Sequence, residues 1–139
     1  MRGASPVRLV LCLYEQAIED LRCAVIALEK GDIESRTRAV NHALSVIAQL
    51  QGSLDMKRGG EVAKNLDRFY GVVRVGLIEA QTKQSARILE QQISQLATVH
   101  EAWLEVERVT GAPAPGSGAV LQIQPDLSPP KISVSEWNA

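Results

Sequence analysis

The chain has 139 residues, a formal charge of -1, 45% hydrophobic side chains and only 4% aromatic ones. That length suits one compact domain, and the near-neutral balance removes any global electrostatic reason to bind nucleic acid or an anionic membrane. Charge thins out toward the end: of 15 Lys and Arg only Lys131 lies beyond residue 110, and of 16 acids only Asp126 and Glu136.

Ser5 followed by Pro6 marks the start of a first helix, because a Ser side chain accepts an unpaired N–H and Pro at the first helical position gives up no needed donor. Val7, Val10, Leu11, Tyr14, Ile18, Leu21, Val25 and Leu28 then recur at three- and four-residue intervals and share one face. The helix closes near Gly31, which takes the left-handed cap conformation readily. The apolar run from Leu9 to Leu13 meets Glu15 too soon to be a signal peptide or a membrane span, so a soluble cytoplasmic chain without membrane insertion is expected. Cys12 and Cys23 lie roughly 16 Å apart along one helix, beyond disulfide reach. With no metal-ligand spacing around them, they are expected as free, buried thiols.

After Asp32, the set Ala39, Val40, Ala43, Leu44, Ile47, Leu50 and Leu54 predicts a second amphipathic helix, closing with Asp55, Lys57 and Arg58. Gly59 and Gly60 then precede "EVAKNLDRFY". A phosphate-binding loop needs a preceding strand and a Lys followed by Ser or Thr, both missing here, so the glycine pair is expected to turn the chain. The third helix presents Val62, Leu66, Phe69, Val73, Leu77 and Ala80, and the fourth Leu89, Ile93, Leu96, His100, Trp103 and Val106. No stretch before residue 119 alternates with a period of two. Four helices of roughly 20 to 25 residues joined by short connections fold back on one another, which predicts an all-α, antiparallel up-down four-helix bundle over residues 1–110. Residues 111–139 hold five of the six prolines. That composition predicts an extended or disordered Pro/Gly-rich tail, although Leu121, Ile123, Leu127, Ile132, Val134 and Trp137 give it apolar groups that can dock in a groove.

Catalytic and metal chemistry find no set of residues. A carboxylate-bridged metal pair in a bundle needs Glu-x-x-His motifs; Ala39 stands three before His42 and Ala97 three before His100. His100 on the core-facing stripe is expected to be a hydrogen-bonded structural residue. Lys57, Arg58, Lys64 and Arg68 are interleaved with Asp55, Glu61 and Asp67, the pattern of a solvated face. No enzyme, no cofactor and no metal are expected. What exceeds structural need is apolar surface. Leu9 and Leu13 lie off the first helix's stripe, and Val72, Val75 and Ile78 lie beside the third's, near Gly71 and Gly76. Such extra positions either widen the core or await a partner.

The chain resembles the FliS family of flagellar export chaperones from about Gly3 to Arg108. The resemblance is carried by "ASP" at 4–6, "LYEQAI" at 13–18, "KGD" at 30–32, "LD" at 54–55, "GGEVAKNLDRFY" at 59–70 and "AW" at 102–103, in this order and spacing. It implies a bacterial cytoplasmic chaperone that binds the C-terminal segment of flagellin, prevents early polymerisation and hands it to the flagellar type III export gate without using ATP. The alternative is a helical interaction module holding another flagellar client or regulator. The expected client-binding residues are Leu9, Leu13, Val40, Leu44, Ile47, Tyr70, Val72, Val75 and Ile78. Two departures from the family pattern are Glu15-Gln16 after Leu13-Tyr14, and Gln81 after Ala80. A third is the short lead before Ala4, where relatives have a segment that lies over the client groove.

Overall fold

The computed structural model describes residues 6–110, which form four helices: α1 Pro6–Lys30, α2 Ile33–Gly52, α3 Gly60–Lys83 and α4 Ala86–Thr110. Ser5, expected as a cap, and the expected tail from Gly111 lie outside the described residues. Each turn has its own chemistry. After α1, Gly31 takes φ +74° and the Asp32 N–H reaches back to the Ala27 carbonyl at 2.8 Å. The Asp32 carboxylate then accepts the Ser35 N–H at 3.0 Å and caps α2, a contact that holds this carboxyl below its ordinary range. Between α3 and α4, Gln84 adopts the left-handed cap, and Ser85 Oγ accepts the Ile88 N–H to start the last helix.

The second helix ends earlier than its periodicity suggests, at Gly52. Ser53 stops it, its hydroxyl donating to the Leu50 carbonyl at 2.8 Å and its N–H bonding the carbonyls of Gln49 and Leu50. Asp55, Lys57 and Arg58 therefore belong to the connector, where Asp55 Oδ1 accepts the N–H groups of Lys57 and Arg58. The two glycines of the turn have separate tasks. Gly60 takes φ +55°, a conformation costly for a residue with a Cβ. Gly59 donates its N–H to the Asp55 carbonyl, and a Cβ there would meet Ala63 Cβ at 2.5 Å and that same carbonyl oxygen at 2.6 Å. Since the Gly59 N–H is already paired within the loop, the pair serves the turn.

The helices form a ring in which α1 packs on α2 and α4, and α3 packs on the same two. Cross-helix pairs fix the antiparallel register: Arg8 with Glu107 and Glu15 with His100 join α1 to α4, and Asp20 with His42 joins α1 to α2. Such exposed pairs contribute little energy, about 0 to 1 kcal/mol each. Stability comes from the core, where every predicted stripe position is buried or half-buried, together with the buried Ala17, Ala24 and Ala63. The diagonal helices α1 and α3 meet at the centre through the Tyr14 hydroxyl, which donates to the Tyr70 hydroxyl at 2.8 Å.

Two expectations are corrected. Cys12 and Cys23 are free thiols but both are exposed, because each lies nearly opposite Tyr14 around the helix at 100° per residue. Gly76 does not open toward an outside partner: it is buried against α4, with the Gln92 side chain lying where its Cβ would go.

Candidate functional site

The α2–α3 seam is defined by polar side chains at seven-residue intervals. Thr37 and Gln51 on α2 face Asp67, Arg74 and Gln81 on α3. At one end Gln81 Nε2 donates to Thr37 Oγ1 at 2.7 Å, and Arg36 Nε donates to Gln81 Oε1 at 3.1 Å. At the other, Gln51 Nε2 donates to Asp67 Oδ1 at 2.8 Å and Arg74 Nη1 donates to Gln51 Oε1 at 3.0 Å.

Midway between the Thr37–Gln81 and Gln51–Asp67 pairs, Leu44 on α2 stands opposite Arg74 on α3, whose guanidinium reaches along the seam to Gln51, and the neighbouring outward positions are apolar or small. Leu44 stands midway between Thr37 and Gln51, is half-buried, and leans on the core. Ala48, one turn further, is exposed. On α3, Gly71 and Ile78 follow Asp67 and Arg74 by one turn, and Val75 follows Gly71. Ile78 is 55% exposed and Val75 66%, and a Cβ at Gly71 would meet nothing within 4 Å. Ala48 on α2 and Gly71, Val75 and Ile78 on α3 thus form an exposed apolar strip along the outer side of the α2–α3 groove, with Arg74 set among them and half-buried Leu44 beneath. Isolated exposed apolar residues are ordinary on protein surfaces, but a contiguous set along a groove marks a docking surface.

The nine sequence-derived residues separate into four places. Leu44 is half-buried in the α2–α3 seam, and Val75 and Ile78 lie on the exposed strip beside it. Leu9 and Leu13 lie on the α1 flank that also carries Asp20 and its partner His42, so they border the α1–α2 seam, a second patch in which Leu9 is exposed and Leu13 half-buried. Val72 is half-buried and leans toward α4, following Phe69 and preceding Gly76 on that side. Val40, Ile47 and Tyr70 are inside the bundle, exposed by 1% or less. The two α2 residues sit on the core stripe seven residues apart, and the Tyr70 hydroxyl is engaged by Tyr14, so none of the three presents surface in this conformation. Ala48 was not anticipated; its only signal in the sequence is its place one turn beyond Leu44.

The centre of the bundle is polar only where it is paired or enclosed. Burial, followed by the neighbouring Tyr70, pushes the Tyr14 hydroxyl well above its ordinary pKa, and burial does the same for Tyr70. The Trp103 indole N–H approaches Tyr14 without completing a hydrogen bond. On the α3–α4 side Gln92 and Gln95 keep buried Oε1 atoms without a partner. Among the described residues no cluster of three His, Cys, Asp or Glu is arranged to hold a metal ion, and no helix is long and apolar enough to cross a membrane.

A family model described as flagellar protein FliS matches residues 1–110. The flagellar secretion chaperone FliSB of Pseudomonas aeruginosa is 34% identical over 100 residues, spanning 72% of this chain and 79% of its own. The flagellar secretion chaperone FliS of Salmonella typhimurium is 32% identical over 105 residues, 75% and 78% of the two chains. That of Bacillus subtilis is 24% identical over 117 residues, 84% of this chain and 86% of its own.

Proposed function

The chain belongs to the FliS family of flagellar secretion chaperones, and we propose that it is a cytoplasmic chaperone for flagellin. In this reading it binds the C-terminal segment of flagellin, keeps that segment from polymerising, and presents it to the flagellar type III export gate. The observation that supports it most is the apolar strip along the α2–α3 groove, where Val75 and Ile78 are exposed beside the bare backbone of Gly71. Flagellin's terminal segments are apolar and order only when they pack, so a preformed apolar strip is a suitable receptor. Ordering such a client consumes roughly 2 to 5 kcal/mol of the gross contact energy, which favours a long contact surface and keeps the complex reversible. The separate patch at Leu9 and Leu13 extends the surface around α2. The protein acts by binding alone: it covers the client, and the client leaves by mass action when the gate takes it.

Co-expression with the C-terminal segment of the same organism's flagellin, followed by size-exclusion chromatography, tests this. A stoichiometric co-eluting complex is expected. If that segment elutes separately while another flagellar export substrate or a regulator co-elutes, the bundle serves a different client.

A further inference from the structure

From the outward face of α1 we infer that a second copy of this chain docks there antiparallel, about a two-fold axis, setting Cys12 of each copy against Cys23 of the other. Leu9, Cys12, Gln16, Glu19, Cys23 and Ile26 are all exposed and follow one another at alternating three- and four-residue steps, the spacing of a seam between two helices. The opposite side of α1, through Tyr14 and Leu21, is buried in the bundle, so no helix among the described residues covers this seam. The six positions are symmetric about a point between Ala17 and Ile18. An antiparallel copy centred there meets Leu9 with Ile26, Cys12 with Cys23 and Gln16 with Glu19, and each meeting occurs twice, as a self-complementary interface requires. The Gln16 amide donates to Asp20 Oδ1 at 3.0 Å and keeps a second N–H for Glu19 of the second copy. Cysteine is small, so helices meeting through these layers approach to about 8 Å, near enough for a disulfide.

Charge sets the direction. Arg8, Glu15, Arg22 and Glu29 form an exposed row at seven-residue intervals beside the seam, on the side of α4. In the antiparallel arrangement this row faces the same row of the second copy, Arg8 opposite Glu29 and Glu15 opposite Arg22, so every contact along it joins opposite charges. The side chains of Arg8 and Glu15, each 60% exposed, also meet Glu107 and His100 of α4. A parallel arrangement would instead set Glu19 against its own counterpart and Glu15 beside Asp20, like charges in both places. Leu9 also belongs to the patch assigned above to the client, so client and second copy compete for it; the docking of two copies stands apart from the client reading, because it involves this chain alone.

The test uses the full chain, free of client, in sedimentation equilibrium under reducing conditions and then after treatment with diamide, which takes up the two thiol hydrogens as each disulfide forms. A reversible dimer is expected, and diamide should convert it into a covalent one. Cys12→Ser alone and Cys23→Ser alone should each abolish the crosslink, since every disulfide needs one cysteine of each kind, while a mixture of the two variants regains part of it. Crosslinking that survives in either single variant joins like cysteines and overturns the inference. So does a mixture that stays uncrosslinked, or a chain that sediments as a monomer at every concentration. Arg22→Glu should weaken dimerisation by about tenfold or more, because both central contacts turn repulsive, and adding Glu15→Arg should restore it. If the exchanged pair stays as weak as Arg22→Glu while both variants keep the helical circular dichroism of the parent, the antiparallel pairing is wrong.

Discussion

At the residue scale, the central Tyr14–Tyr70 pair ties stability to pH. Both hydroxyls are buried and favour their neutral forms, with pKa values above the ordinary tyrosine value. A group whose folded pKa is raised contributes stability that is fully present below its unfolded pKa, near 10 for Tyr, and is lost as pH rises through the folded value. Unfolding free energy measured by denaturant titration should therefore start to fall above about pH 10, by up to roughly 1.4 kcal/mol per pH unit for each tyrosine. Replacing both by Phe should remove this alkaline loss. Tyr14→Phe alone leaves the Tyr70 hydroxyl buried without its donor and should cost about 1 to 3 kcal/mol at neutral pH, with the double replacement costing less than the single ones combined. A double variant that loses as much as the two single changes together would show that the pair is not coupled. Both tyrosines are visible in the sequence, but only Tyr14 stands on a predicted stripe. Tyr70 was expected among the client-binding residues, and only its position diagonally across from Tyr14 shows that α3 turns it inward.

At the scale of the element, the turn between α2 and α3 shows both what a sequence reveals and where it stops. The glycine pair announces a turn, yet the residues ahead of it look like helix because Leu54 keeps the apolar spacing. In the folded chain Leu54 packs against the core from the connector, so a tertiary contact reproduces a periodicity that no helix carries. The division of labour between the glycines follows from backbone geometry and is testable by thermal and denaturant unfolding. Gly60→Ala places a Cβ on a left-handed residue and should cost about 1 to 2 kcal/mol. Gly59→Ala also pushes a methyl group into Ala63 and the Asp55 carbonyl, and should cost more, about 2 to 4 kcal/mol once overpacking and the disturbed turn are combined. Equal effects at the two positions would contradict this assignment. The same distinction separates core from surface within α3. Leu66 is buried, and Leu66→Ala should cost about 2 to 5 kcal/mol, while Val75→Ala, at an exposed position, should leave stability within about 0.5 kcal/mol.

At the scale of the whole molecule, helix number, direction and most of the core are legible in the sequence, because each helix carries its own apolar stripe and the connections are short. The groove was legible only in part: excess apolar residues on α3 point to it, but their partner wall depends on which helix stands beside α3 and in which register. The Thr37, Leu44 and Gln51 row becomes a wall only once Gln81 and Asp67 are seen opposite its ends. Leu9 and Leu13, grouped with the others because they lie off their helix's stripe, fall on another seam for the same reason. The bundle is expected to be self-sufficient: a chain ending after Thr110 should retain its helical circular dichroism signal and cooperative unfolding, and loss of either would assign the last 29 residues a part in the fold. The central claim is that the apolar strip along the α2–α3 groove holds flagellin's C-terminal segment, and its most direct test is the double variant Val75→Asp, Ile78→Asp, followed by calorimetric unfolding and peptide titration on one preparation. Both carboxylates are solvated in the free protein, so the thermal midpoint should move by no more than a few degrees. Under a bound apolar client they are desolvated without partners, a penalty of several kcal/mol. Affinity for the flagellin peptide should therefore fall at least about a hundredfold, or about 2.7 kcal/mol; unchanged affinity in a normally folded variant would contradict the account.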